Sequence, residues 1–220
     1  MLANWQLDRH HQRVAFNETL KERVDTPTAP LEQVLETFSS ASDAEWRSVV
    51  VTGLYLQDHD IQIVNVSQGG QAGFDPVAPL QLSDGRLILV NRGFVPLGGS
   101  VLDPPAGTVT LQGRLRASSA KRLGAVSDAT SGVLTEVQRI DILRLQQQMP
   151  APLVNVYVEL QSSSPADDTT LSRIAEPTFN NGPHLGYVGQ WILFSLCALG
   201  GWFAIVRREA TGKKQSALGV

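Results

Sequence analysis

Residues 186–206 read GYVGQWILFSLCALGGWFAIV, and this stretch decides what kind of protein the chain is. No Asp, Glu, Lys or Arg occurs from Pro177 to Val206, and Arg207 and Arg208 follow at once. As a helix these residues would run roughly 31 Å, about one hydrocarbon core. The alternative is a buried core helix. The stretch is apolar on all sides and ends in a basic stop, which favours a transmembrane helix over 184–206. Trp191 and Trp202 sit towards its opposite ends, where interfacial aromatics are common.

The charge divides about this span. Residues 207–220 hold Arg207, Arg208, Lys213 and Lys214 against Glu209, a net +3. Residues 1–185 carry a net charge of -6, and the whole chain -3. The positive-inside rule then places the basic tail, 207–220, in the cytoplasm and the large domain outside it. The rival is a reversed topology with a tail anchor. The acidic balance argues against a nucleic-acid partner. The single cysteine, Cys197, lies in the span, which excludes a disulfide framework and a CxxC metal site. An outside domain also needs a signal that carries it across the membrane. Residues 1–25 contain no apolar run of that kind, so a first transmembrane helix is expected upstream of this chain.

Working back from the span, residues 161–183 are rich in Ser, Asp, Asn and Pro and read as a linker. Leu153 to Leu160 (LVNVYVEL) alternates as a strand. Val137 to Met149 reads as the best helix of the domain, stopped by Pro150 and Pro152. A small, polar loop covers 118–133, and Gly98 to Pro105 is another loop. Strands are expected over 108–117, 86–94 and 75–82, with Asp84-Gly85 as a hairpin turn. Gly69 to Gly73 reads as a glycine loop. Arg47–Gln57 and Ile61–Val66 read as a hairpin about Asp58 and His59. Residues 31–38 suggest a short helix, and residues 1–25 an amphipathic one. The expected fold class is therefore α+β. A mainly antiparallel β domain with flanking helices covers 26–183, followed by the transmembrane helix.

Few side chains suggest catalysis, and no enzyme is expected. There is no GxSxG or HExxH motif. A Ser–Lys dyad could draw only on Lys21 or Lys121 in the domain, and nothing near either suggests desolvation. Asp167-Asp168 lies in the polar linker and reads as solvated charge. His10 and His11 are neighbours, splayed apart on a helix by about 100°. His59, between Asp58 and Asp60, reads as a solvated turn. His184 differs, because it directly precedes the span in a segment without formal charge. It could offer one ring nitrogen to haem iron, or hydrogen-bond to backbone or lipid.

Three separated segments together resemble the SURF1 family. Trp5, Gln6 and Arg9 match its WQxxR element. Leu87 to Pro96, LILVNRGFVP, resembles its VNRG[FW]VP strand and turn, with Asn91, Arg92 and Gly93 at the centre. His184, Leu185, Tyr187 and Trp191 form HLxYxxxW, as at the family's second membrane helix. Gly53 and Gly113 also stand where the family carries strand glycines. The resemblance implies a cell-membrane protein with two membrane helices joined by an extracytoplasmic domain. It implies a role in assembling haem-copper cytochrome c oxidase, with oxidase subunit I and other assembly factors as partners.

It also implies that haem a is held or delivered, with His184 as the iron ligand and Tyr187 and Trp191 beside it. Trp191, two helical turns from His184, would pack on the macrocycle or its apolar tail, or else face lipid or the first helix. Arg92 would pair with a propionate or an acidic partner, or simply end a strand, the reading we favour. The alternative functions are a stable accessory subunit of a respiratory membrane complex and a membrane-anchored enzyme.

Overall fold

A computed structural model describes residues 2–119 and 126–217, with side chains of the last helix as far as Glu209. Lys121, part of the 118–133 loop and the side chains of Lys213 and Lys214 lie outside the described residues. The chain divides into two compact units, residues 1–21 with 178–220, and residues 22–177.

The larger unit is built on nine strands. These are β1 (Ala29–Pro30), β2 (Ser48–Tyr55), β3 (Ile61–Gln68), β4 (Gln71–Gln81), β5 (Leu87–Asn91), β6 (Val95–Pro96), β7 (Thr108–Ala117), β8 (Glu136–Val137) and β9 (Leu153–Ser164). The pairing order is β1-β2-β7-β9-β5-β4-β3-β8, and β6 pairs with β4. A further pairing, Leu54 with Gln81 and Tyr55 with Leu80, joins β2 to β4. Strands β2, β7, β9, β5 and β4 thus form a closed circuit, which protects the edges an open sheet would expose.

Period-two alternation aims one face of each of these strands inward. Val49 and Val51, Ala78 and Leu80, Ile88 and Val90, Val109 and Leu111, and Val156 and Val158 meet in one buried core. Leu31 and Val34, from α2 (Leu31–Thr37), and Ala44, from α3 (Ala41–Ala44), complete it. Ser40 caps α3 by accepting a hydrogen bond from the Asp43 backbone N–H at 3.1 Å. A second core packs Ile61, Val77, Leu89 and Val137 with Ile140, Ile142 and Leu145.

Gly53 shows how tight the closure of the circuit is. A Cβ there would lie 2.3 Å from the Gln81 carbonyl oxygen, a backbone atom that the β2–β4 pairing holds in place. Only glycine allows that approach.

The structure revises several expectations. β2 and β3 are not hairpin partners; β2 pairs with β7 over seven registers from Ser48↔Arg114 to Leu54↔Thr108. β3 instead turns into β4 through Gly69 and Gly70, both at positive φ, and Gly73 lies inside β4. What read as a glycine loop is a two-residue hairpin turn. Antiparallel pairings predominate, but the sheet is mixed: β5 and β9 run parallel at its centre, as do β1–β2 and β3–β8 at its margins. The expected helix over 137–149 shrinks to α4 (Ile142–Leu145) and a 3-10 turn over Gln146–Gln148. Val137 is drawn into β8 beside β3, and Asp141 caps α4 by accepting from the Arg144 N–H at 3.2 Å. The expected linker begins late, since β9 continues to Ser164 and Ser172 bridges to Phe94.

In the smaller unit, α1 (Leu2–Asp25) leads in and α5 (His184–Ala217) leads out, the last turn of α1 belonging to the larger unit. Within α5, His184–Glu209 is long and apolar enough to cross a membrane, with a mean hydropathy of 1.6. None of its apolar window is buried against protein. That exposure removes the buried-core alternative, since a soluble core helix hides such a surface.

Candidate functional site

The smaller unit brings two of the three sequence motifs into contact. Gln6 on α1 and His184 at the start of α5 are 178 residues apart in sequence. Gln6 Oε1 accepts a hydrogen bond from His184 Nδ1 at 2.9 Å. In the tautomer that carries its proton on Nδ1, Nε2 holds the lone pair. Gly182, at φ +70°, faces that side of the ring; a Cβ there would lie 3.1 Å from Nε2. A side chain there would crowd the ring.

Around the ring lies a cleft of about 580 Å³ lined by Arg9, Gln12, Arg13, Phe16, Thr178 and Asn180, with Gly182 and His184. Its walls are fixed by polar contacts between α1 and the segment before α5. Arg13 Nε donates to the Asn180 carbonyl at 2.9 Å, and Asn17 Nδ2 donates to Asn181 Oδ1 at 2.8 Å. Asn180 Oδ1 in turn accepts from the Gly182 N–H at 2.7 Å, which shapes the turn that presents His184. The cleft therefore offers one free imidazole nitrogen and two guanidinium groups. This donor set suits a single axial metal contact and nearby carboxylates. Among the described residues, no group of three or more His, Cys, Asp and Glu could hold a bare metal ion.

The remaining residues named from the sequence lie elsewhere. Arg9 also stacks over the exposed Trp5 ring, 5.8 Å from its centre. Tyr187 and Trp191 are exposed on α5 and do not line the cleft. Positions 184, 187 and 191 nevertheless share a helix face by their spacing, and Trp191 packs edge-on against Phe194.

Asn91, Arg92 and Gly93 belong to the larger unit and are bound into its framework. The Arg92 guanidinium grips Asp167 with two hydrogen bonds, Nε–Oδ2 at 2.9 Å and Nη2–Oδ1 at 2.5 Å. The side chains are only 2% and 8% exposed. Burial by itself would lower the Arg92 pKa, but the hydrogen bonds and charge of Asp167 outweigh it and hold it above the ordinary value. Asp167 is therefore not the solvated charge that the sequence suggested. Gly93, at φ +139°, packs where a Cβ would meet the Ser172 carbonyl at 2.6 Å. The favoured reading of this motif as structural is consistent with these contacts.

Sequence reasoning missed the polar cluster beside it. Asn91 Nδ2 donates to Asp75 Oδ2 at 2.9 Å. Arg116 reaches Glu159 at 2.5 Å and Glu45 at 3.0 Å, and stacks over Trp46 at 3.8 Å. Asp75, Arg114 and Glu159 are all buried. Alternation in β7 and β9 was the available signal, since Arg114, Arg116 and Glu159 point away from the first apolar core.

Burial, offset in part by the Asn91 hydrogen bond and reinforced by Glu159, pushes the Asp75 carboxyl up to about 6. Its folded pKa thus exceeds the unfolded value, so the folded state binds the proton more tightly. Stability is greatest with Asp75 protonated and falls as pH rises from about 4 through about 6. Asp75→Asn should stabilise the chain at pH 7.5 by something of the order of 2 kcal/mol, and by little at pH 4. Thermal melts of both proteins at the two pH values check this; an equal difference at both would refute it.

Comparison with known proteins agrees with the motifs. The SURF1 family profile matches residues 1–196. An uncharacterized SURF1-like protein of Mycobacterium tuberculosis (strain H37Rv) is 34% identical over 226 residues, covering 96% of this chain and 82% of the relative. A SURF1-like protein of Monosiga brevicollis is 26% identical over 231 residues, covering 94% and 83%. A SURF1-like protein of Dictyostelium discoideum is 27% identical over 99 residues, covering 42% of this chain and 37% of the relative. With its motifs in order and a family match over nearly the whole chain, this protein belongs to the SURF1 family.

Proposed function

We propose that this chain is a non-enzymatic membrane assembly factor for haem-copper cytochrome c oxidase. It holds haem a as cargo in the cleft beside His184 and passes it to oxidase subunit I. The observation that carries this reading is the contact between Gln6 and His184, at which two motifs from opposite ends of the sequence converge on one imidazole ring.

Haem a supplies an iron that accepts an axial nitrogen, two carboxylates and a long apolar tail. His184 Nε2 offers the axial contact. Arg9 and Arg13 offer charge-assisted hydrogen bonds to carboxylates. Phe16 adds an apolar wall. Tyr187 and Trp191 continue the His184 face of α5 along the apolar span, where a hydrophobic tail is soluble. A contact made through one histidine is one that another protein can displace. The net +3 tail after the span supports an integral cell-membrane protein with the larger unit outside the cytoplasm.

Affinity purification of the full chain in mild detergent tests the assembly role. Oxidase subunit I and other assembly factors should co-purify below equal stoichiometry, and the chain should be absent from mature, active oxidase. Equal stoichiometry in mature oxidase would make it a stable accessory subunit instead.

A further inference from the structure

We infer that Gln6 is a positioning residue that orients the His184 ring and sets its strength as a ligand. The inference rests on the haem reading of the cleft. Gln6 is half-buried on α1, and its Oε1 is the recorded partner of the His184 ring, at 2.9 Å from Nδ1. Accepting the Nδ1–H favours one tautomer and one ring orientation, with Nε2 as the nitrogen left to ligate and Gly182 beside the ring. Residues that hold a metal-binding histidine in this way are commonly carboxylates, which draw the proton and make the ring a stronger donor. An amide oxygen carries no charge. It orients the ring without adding that electron density.

The distinction matters for a carrier. A holder that binds its cargo as strongly as the destination cannot pass it on. The neutral partner, the single axial nitrogen and the polar cleft all favour a contact that forms and breaks. Arg9 and Arg13, the charged groups of the same cleft, would attract carboxylates but add no ligand. The strength of the iron contact therefore rests on the His184 ring, and Gln6 sets it.

The test uses full-length protein in detergent loaded with ferric haem, comparing wild type with Gln6→Glu, Gln6→Leu and His184→Ala. Gln6→Glu keeps the size and the acceptor but adds a charge. It should lower the haem midpoint potential and slow haem transfer to apomyoglobin by roughly tenfold. Gln6→Leu removes the acceptor and should weaken haem binding by roughly tenfold. Nitrogen-15 NMR of the haem-free protein should place the His184 proton on Nδ1 in wild type, and this preference should be lost in Gln6→Leu. A purely structural role for Gln6 would leave the potential of Gln6→Glu unchanged. Such a result, with haem binding still lost in His184→Ala, would overturn the role of Gln6 alone. Unchanged haem binding in His184→Ala would overturn the haem reading itself, and the role of Gln6 with it.

Discussion

Replacing Arg92 by alanine should destabilise the folded chain by about 3–5 kcal/mol, among the largest effects of any single polar substitution here. The pair it breaks is bidentate and almost fully buried. Without the guanidinium, Asp167 keeps the N–H of Asp168 at 2.7 Å, but its negative charge has no counter-ion at the same contact. Tyr55 and Asp60 feel the charges of this pair as well. The Tyr55 pKa is raised first by burial and next by Asp167, and the Asp60 pKa is raised first by burial and lowered in part by Arg92.

The loss also loosens a strap. Asp168 Oδ2 accepts from the Leu102 N–H at 3.0 Å, and Phe94 and Ser172 exchange two backbone hydrogen bonds of 2.7 and 3.0 Å. Arg92→Ala should therefore lower the melting temperature by roughly 10 °C. Arg92→Met combined with Asp167→Leu, which removes both charges and keeps most of the volume, should recover most of that loss. A single variant that melts like wild type would show that the pair does not hold the strap.

The same motif shows how far the sequence could be read. Alternation located β2, β7 and β9 within a few residues, because each strand has one face in the core and period two is a local property. Which strands pair is not local. Arg47–Gln57 and Ile61–Val66 are adjacent in sequence and looked like a hairpin, yet β2 lies against β7 and closes the circuit onto β4. The segment 137–149 has apolar residues at helical spacing. The demand of β3 for a partner beside Val137 outweighs that preference. Asp167 read as linker because its composition is polar, and only the fold brings it to Arg92, 75 residues away.

At the cleft of the smaller unit, His184 was visible from its place before the apolar stretch. Gln6 stood out as a motif residue, but its pairing with His184 did not, since nothing local in the sequence links it to a residue 178 positions later. Arg13, Asn180 and Gly182 were missed for the same reason. They act by shaping a turn and a wall, and neither leaves a motif.

The second large effect is expected at His184. It offers the one imidazole among the cleft-lining residues, so alanine there would remove the proposed contact to haem iron while leaving the larger unit, residues 22–177, untouched. The free energy of a single iron–histidine contact should govern retention of haem in so polar a cleft, and the loss should exceed tenfold. The direct measurement is the absorption spectrum of the full-length chain and of His184→Ala, each purified in mild detergent from a host that makes haem a. The account predicts a haem a spectrum from wild type, and its loss from a variant that melts at the wild-type temperature. Equal haem a content in the two proteins would contradict it.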